Sequence, residues 1–337
     1  TFLLGRNGQG KSNLLEAAGL VTALRSFRTA EAKALVRHGQ PQARLYFVCE
    51  RSDGEKEEIE LTLTRSAKQL KIDGDKVSRL ADFLGNYPTV TLAAEDIQLI
   101  RGSPGLRRRF LDMTLSATSR EYFEALRRYH RALQERNRLL KSPRPDTAQL
   151  NAFDKALAPE AVALFHQRSE GVTSLQQDLA AAYAIISDEG EAPDLSYRPK
   201  HDLTDEAVYL MLLKSHQAAD LALKSTQVGP HRDELAISLG DKSARTYASD
   251  GQQRALVVSL RLAQLSRYEQ ATGLRPVVLA DDVLGELDSE RRKRFWQAIG
   301  SERQVIATGT EQPARDEGGR SWQLVQVEAG KFTAMSS

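Results

Sequence analysis

An α/β fold, with a mixed β core, an antiparallel β sublobe and a second lobe built of helices, is predicted by three features of this 337-residue sequence. Two apolar runs, Phe2-Leu3-Leu4 near the start and Val277-Val278-Leu279-Ala280 late in the chain, read as strands, the second buried and parallel, and each opens into polar residues. Three stretches between residues 44 and 77 alternate apolar with polar, the period of half-buried antiparallel strands. From residue 104 to about residue 222 the apolar residues mostly recur three and four apart, the spacing of amphipathic helices.

The first strand runs into Gly5-Arg6-Asn7-Gly8-Gln9-Gly10-Lys11-Ser12, then Asn13 and a helix bearing Leu14, Leu15, Ala17, Ala18, Val21 and Leu24. This is the G-x-x-x-x-G-K-S/T spacing of a phosphate-binding loop. Glycines let the backbone close around an anion so that N–H groups point at phosphate oxygens, and the helix opening at Lys11 adds the positive end of its dipole. Lys11 is expected to reach the β and γ phosphates of ATP, and the Ser12 hydroxyl to ligate Mg²⁺. Behind that helix, Arg25-Ser26-Phe27-Arg28 is either a further phosphate contact or a solvated helix end.

Alternation follows over Arg44–Cys49, Glu58–Thr64 and Gln69–Val77, with turns at Ser52-Asp53-Gly54 and Asp73-Gly74. Pro88–Leu92 returns to a buried strand. After it, Glu95, Asp96 and Gln98 stand either in a switch loop that meets metal or water, or at a capped helix start. Gly102-Ser103-Pro104-Gly105 then breaks the chain before Arg107-Arg108-Arg109-Phe110-Leu111-Asp112.

Tyr122, Leu126, Tyr129, Leu133 and Leu140, with a polar step at Arg136, suit one helix of a short antiparallel hairpin. Its polar face carries Arg127, Arg128, Arg131, Arg136, Arg138 and Lys141, outnumbering Glu124 and Glu135. Contact with a DNA phosphate backbone is therefore expected at Arg127, Arg128 and Arg131, or at Arg107 and Arg108. Ser142-Pro143-Arg144-Pro145-Asp146 ends that helix. A second helical stretch runs through Leu150, Phe153, Leu157, Ala161, Leu164 and Phe165, and a third through Leu175, Leu179 and Tyr183; residues 187–204 read as loop or irregular strand. Gly229-Pro230-His231-Arg232-Asp233 leads into an alternating strand over Leu235–Leu239, where His231 reads as a turn-forming or hydrogen-bonding residue rather than a metal ligand.

Two elements complete the chemistry. Ser249 is a good N-cap and Gly251 permits close backbone approach, so the helix after Ala248-Ser249-Asp250-Gly251-Gln252 begins in a second anion-fit terminus. The strand at Val277 ends in Asp281 and Asp282: one carboxylate can hold the Mg²⁺ that Ser12 touches, and its neighbour can orient or deprotonate attacking water. Catalysis is thereby assigned to Asp282 and Lys11, and metal binding to Ser12 and Asp281.

Composition bounds the rest. A net charge of +2 indicates an anionic partner only weakly, so local clusters must carry that argument. Cys49 is the only cysteine, which excludes an internal disulfide framework and suits a reducing, cytoplasmic setting. No apolar stretch has the length of a membrane span, and the N-terminus lacks the charged start and apolar core of a signal peptide. The chain begins inside a strand without Met, which leaves room for native residues before Thr1.

The order of the phosphate loop, Ser249-Asp250-Gly251-Gln252 and the acidic strand end resembles the ABC-type ATPases, in which the signature S-x-G-Q of one subunit meets the γ phosphate held by the other; Asp250 stands where that signature commonly has glycine. The interval from Gly5 to Ser249 is too long for a transporter ATPase and too short for the coiled coils of SMC-type proteins. Taken with Ala94-Glu95-Asp96, Gly102-Ser103-Pro104, Arg107 to Asp112, Gly229-Pro230-His231-Arg232-Asp233 and Asp281-Asp282-Val283-Leu284-Gly285-Glu286-Leu287-Asp288, the chain resembles the RecF family of bacterial recombination and repair ATPases over essentially its whole length. The resemblance implies an ABC-type head with a short helical arm: residues 1–103 as ATP-binding lobe I, 104–225 as helical lobe II, and 226–337 as signature, Walker B, D-loop and the remainder of lobe I. It also implies nucleotide contacts from Gly5 to Asn13 and from Ser249, Gly251 and Gln252, a D-loop at Glu286-Leu287-Asp288, and a switch position near Thr308-Gly309-Thr310. The family is expected to be a slow, DNA-stimulated ATPase that dimerises on ATP at single-strand/double-strand junctions of gaps. Its partners are RecR- and RecO-type mediators, and its roles are recombinase loading, replication restart and the SOS response. A different SMC-like or nuclease-associated head remains the alternative, but would need a long heptad arm or an acidic nuclease cluster, and the sequence has neither.

Overall fold

The computed structural model describes residues 1–24, 26, 32–50, 54–65, 67–187, 190–282, 287–313 and 319–335. They divide into two compact units, Thr1–Asp96 with Gln264–Ser337, and Ile97–Ala263. Arg25, Phe27 and Arg28 of the basic element, and Ser52 and Asp53 of the first expected turn, lie outside the described residues.

The first unit opens with β1 (Phe2–Leu4) and α1 (Lys11–Ala23). Gly10, at φ 102°, turns the chain into the helix in a conformation that favours glycine. Then come β2 (Gln42–Glu50), β3 (Lys56–Thr64), β4 (Lys68–Ile72) and β5 (Asp75–Lys76), paired antiparallel in that order. Asp73 and Gly74 both have positive φ, the conformation of a tight two-residue hairpin whose twist matches its strands. The alternation has a physical reason, since Ile59, Leu61, Leu63 and Leu70 face one way and bury against Leu20, Val21 and Leu24 on and just beyond α1. β6 (Thr89–Ala93) follows.

The second unit contains α2 (Gln98–Arg101), α3 (Pro104–Thr118), α4 (Arg120–Leu140), α5 (Thr147–Ile186), β7 (Pro193–Arg198), α6 (Glu206–Leu223), β8 (Glu234–Leu239), β9 (Lys242–Ser243) and α7 (Ala244–Tyr247), and α8 (Asp250–Thr272) runs across the division. Helix α4 is capped by Ser119, whose hydroxyl accepts the Tyr122 N–H. Its partners on α5 descend as its own numbers rise, from Tyr122 with Arg168, through Arg128 with Glu160, to Arg136 with Asp154, so the two helices are antiparallel. The second and third helical stretches read from the sequence are corrected to the single helix α5. The helix carries on through the interval between them, where Arg168 and Val172 are buried at helical spacing, and it also contains Pro159. Residues 226–263, read above with lobe I, pack in this unit because β8 pairs antiparallel with β7.

The chain completes the first unit with β10 (Val277–Asp281), α9 (Ser289–Ile299), β11 (Val305–Gly309), β12 (Leu324–Glu328) and β13 (Lys331–Ala334). The six-stranded sheet has the order β13-β12-β1-β11-β10-β6, parallel throughout except for the terminal β12–β13 hairpin. Parallel strands bring the carboxyl ends of β1, β10, β11 and β6 to one edge, where open α/β sheets hold ligands. No helix among the described residues is long and apolar enough to cross a membrane.

Candidate functional site

At that edge lies a cavity of about 340 Å³ lined by Asn7 through Asn13, Ala94, Glu95, Asp281, Asp282 and Thr308. The loop from β1 supplies its floor. The Lys11 ammonium is buried and donates to the Gly5 and Arg6 carbonyls at 2.5 and 3.1 Å, so it crosses beneath the loop rather than extending into solvent. Ser12, in the first turn of α1, donates to Asp281 Oδ1 at 2.9 Å. The register β10–β11 sets Asp281 beside Thr308. The Thr308 hydroxyl donates to the same Asp281 oxygen at 2.9 Å and accepts the Asp282 N–H at 3.0 Å. Asp282 sits at φ 53°, and its backbone N–H bond to Thr308 helps hold that left-handed turn and keep the side chain exposed at the strand end.

The donor set fits Mg²⁺. A serine hydroxyl and a carboxylate side by side at the cavity are the hard oxygen donors that this ion takes. Of the two readings left open after β6, the capping one is seen at Asp96. Asp96 accepts the Ala93 N–H at 3.0 Å and caps the turn, whereas Glu95 lines the cavity. Thr308 was legible only as lying near a switch position; a hydroxyl ending the apolar run Val305-Ile306-Ala307 was the available signal.

Ser249, Gly251 and Gln252 are not among the residues lining this cavity. They form a separate feature of the second unit. Ser249 Oγ accepts the Gln252 N–H at 3.2 Å while Gln252 Oε1 accepts the Ser249 N–H at 2.8 Å, a reciprocal capping box. Arg101, which the sequence did not single out, donates to Gln253 Oε1 at 2.6 Å and to Asp250 Oδ1 at 2.7 Å, and so ties α2 to the first turn of α8. Asp250 thus has a partner of its own. Of the residues expected to form the D-loop, Glu286 lies outside the described residues, Leu287 is buried, and Asp288 caps α9 by accepting the Arg291 N–H.

The arginines expected to face DNA separate by burial. Arg107 is buried and forked onto Glu234 at 2.8 and 2.9 Å, with further bonds to the Leu99 and Gly102 carbonyls, so its expected phosphate role is corrected to an internal one. Arg108 is half-buried and donates to the Asp233 carbonyl at 2.6 Å. Arg136, placed on the polar face from sequence, is wholly buried instead, held by Asp154, Asp220 and Thr226 at 2.6, 2.7 and 2.8 Å. Arg128 is exposed yet paired with Glu160 and Glu124. Arg127 and Arg131 are exposed, one turn apart on α4.

Gly229-Pro230-His231-Arg232-Asp233 forms a buried polar knot. A Cβ on Gly229 would come within 2.4 and 2.5 Å of the Tyr209 and Tyr129 hydroxyls, and its φ of 124° independently favours glycine. The Pro230 carbonyl accepts from Arg168, which is 2% exposed and also donates to Tyr122 and Asp112. His231 Nε2 faces the Thr226 carbonyl at 3.0 Å, so that nitrogen carries the proton and Nδ1 accepts from the Tyr129 hydroxyl at 2.7 Å. Burial pushes the imidazole pKa down to about 4. The hydrogen-bonding role read for His231 is the one it has.

The model of the RecF/RecN/SMC N-terminal domain matches residues 1–333. The DNA replication and repair protein RecF of Synechococcus sp. (strain JA-2-3B'a(2-13)) is 36% identical over 98% of this chain and 91% of its own length. The RecF of Streptococcus thermophilus (strain ATCC BAA-250 / LMG 18311) is 33% identical over 92% of this chain and 85% of its own. A solved structure described as the recombination mediator protein RecF with ATP in the RecFOR pathway superposes with TM-score 0.89 at 28% identity, covering all of this chain and 91% of that one. An Smc head bound to the C-winged helix domain of ScpA gives TM-score 0.53 at 14% identity over 100% of this chain and 90% of its own, a likeness of fold alone.

Proposed function

This chain belongs to the RecF family, and on that premise we propose that it is an ATP-dependent DNA-binding mediator of recombinational repair whose heads pair on ATP. The observation that carries this reading is the convergence of Ser12, Asp281, Asp282 and Thr308 at the mouth of the phosphate loop. Loop N–H groups and Lys11 bind the phosphates of ATP. Ser12 and Asp281 hold Mg²⁺, which when bound offsets the charge on the phosphate oxygens. Asp282 orients water against the γ phosphorus and accepts its proton, and Thr308 fixes the Asp281 carboxylate and the Asp282 backbone N–H. The signature turn at Ser249 serves the cavity of a second copy, so hydrolysis requires a dimer. Arg127 and Arg131 meet the DNA backbone at single-strand/double-strand junctions, where RecR- and RecO-type mediators join in replication restart and the SOS response. ATP turnover is slow and stimulated by DNA.

A nuclease-associated head is not favoured. Among the described residues no group of three or more His, Cys, Asp or Glu gathers as a metal cluster, and the arm is only the α4–α5 hairpin.

Mixing separates a composite dimer site from a one-subunit NTPase. Ser249→Arg places a bulky cation at a terminus meant for an anion. It is expected to bind ATP, sediment as a monomer with ATP and gapped duplex, and hydrolyse almost nothing. Mixed with Lys11→Ala protein it regains part of the wild-type rate, because one intact composite site is rebuilt. Wild-type turnover by the ATP-loaded Ser249→Arg monomer would sink the trans arrangement.

A further inference from the structure

We propose that the terminal β12–β13 hairpin is a buttress that pre-forms the phosphate loop, with Gln9 as the positioning residue through which it acts; this rests on reading the cavity as an ATP site. The hairpin turn is Ala329-Gly330, and both of its N–H groups are directed at one residue of the loop. Ala329 N–H donates to Gln9 Oε1 at 2.7 Å across 320 positions of sequence, and Gly330 N–H donates to the Gln9 carbonyl at 3.0 Å. The backing extends along the loop. A Cβ on Gly5 would lie 2.4 Å from the Val327 carbonyl of β12, and one on Gly10 would touch the Gly330 α-carbon at 3.7 Å.

Conformation explains why such a contact matters. Gln9 lies between Gly8 and Gly10, whose φ angles are 79° and 102°. Glycines in positive-φ conformations are the residues that lose most freedom on ordering, and an unsupported loop would pay that loss when it closes on phosphate. The turn is itself held in a demanding shape: Ala329 has φ 48° and Gly330 φ 76°, two successive left-handed residues, one of them with a side chain. The β12–β13 hairpin therefore presents two fixed donors, and Gln9, at a position the motif spacing leaves open to any residue, accepts both. Neither its side-chain oxygen nor its carbonyl is needed for the N–H groups that cradle an anion, so positioning and binding use different atoms of the same loop.

The test replaces Gln9 by Met, which keeps the length of the side chain and removes the acceptor. Losing one neutral hydrogen bond is expected to weaken Mg·ATP binding about 5-fold by titration calorimetry. The thermal midpoint of the nucleotide-free protein should stay near wild type, while amide exchange at Gly8 through Ser12 accelerates in that same nucleotide-free state. Ala329→Gly retains the N–H and relaxes the turn, so it should hold the loop's wild-type protection. Wild-type affinity together with unaltered exchange in Gln9→Met would overturn the buttress. An equal fall in thermal midpoint and affinity would also overturn it, by making Gln9 a residue of general stability. If wild-type protein bound no ATP, the reading of the cavity would fail instead, and the exchange measurement would still decide the role of Gln9.

Discussion

Two polar clusters in this molecule put aspartates and a threonine to opposite ends. In the second unit, Arg136 and Arg168 are 0% and 2% exposed and are enclosed by Asp154, Asp220, Thr226, Asp112, Tyr122 and the Pro230 carbonyl. In the first unit, Ser12, Asp281, Asp282 and Thr308 bond to one another on one side and line a cavity on the other. The first cluster turns its polar groups on one another, with only Arg136 Nη2 buried without a hydrogen-bond partner, and holds α4, α5 and α6 together; the second leaves directions open for a ligand. Chemistry is therefore read from what a polar group still faces, not from its charge or its place in a motif.

The contrast is broken or sharpened first by paired substitutions. Arg136→Ala leaves Asp154 and Asp220 as buried carboxylates without their cation, a change of the kind that costs about 3–5 kcal/mol. Lys11→Ala is expected to abolish ATP binding while shifting urea unfolding of the nucleotide-free protein by less than about 1 kcal/mol. Comparable destabilisation by both would erase the distinction between the clusters.

A smaller effect comes from pH. His231 is held at about pKa 4 against an unfolded value near 6.5, because burial penalises its charged form. Above pH 6.5 both states are neutral and the knot has its full stability. As pH falls from 6.5 to 4 the unfolded chain takes up a proton that the native chain refuses, so stability falls, by up to about 3 kcal/mol at the lower end. Asp233 and Asp154, whose pKa values burial raises, act with the opposite sign in the acidic part of that window. The difference between wild type and His231→Gln in urea unfolding at pH 7 and pH 5 isolates the histidine. The variant is expected to be less pH-sensitive across that interval, and an identical fall in both proteins would refute the assignment.

How far the sequence reached follows the same division. The phosphate loop, the acidic strand end and the alternation of β2 to β4 were legible because each is local: a spacing, a strand terminus, a face with period two. Arg136 was misplaced because a charge at an apolar step looks like an interruption of the buried stripe, and nothing in its own neighbourhood announces Asp154 or Asp220. Arg107 was misplaced for the same reason, its Glu234 partner lying 127 positions away. The join of α5 through residues 166–174 was missed because Val172 alone is apolar there, too little to display the helical spacing. The hold of the terminal turn on Gln9 has no local sign at all, being a meeting of residues 320 positions apart.

The smallest expected effect tests the outward face of the arm. Arg127 and Arg131 are exposed one turn apart on α4, whereas Arg128 between them is drawn toward Glu160 and Glu124, so the stripe offers two cations to a phosphate backbone rather than three. Each phosphate neutralised on duplex DNA contributes about 0.9 to the slope of log affinity against log salt. Replacing Arg127 and Arg131 together by Ala should therefore flatten that slope by up to about 2, with little change in base preference, because backbone contacts carry no sequence information. Arg107→Ala removes a buried fork instead, and is expected to lower the urea midpoint while leaving the salt slope of the protein that remains folded unaltered. A slope unmoved by the double substitution would return Arg127 and Arg131 to an ordinary solvated face. A slope moved by Arg107→Ala as much as by the double variant would mean that the arm's charges act through the knot, and the separation of inward from outward arginines would fail.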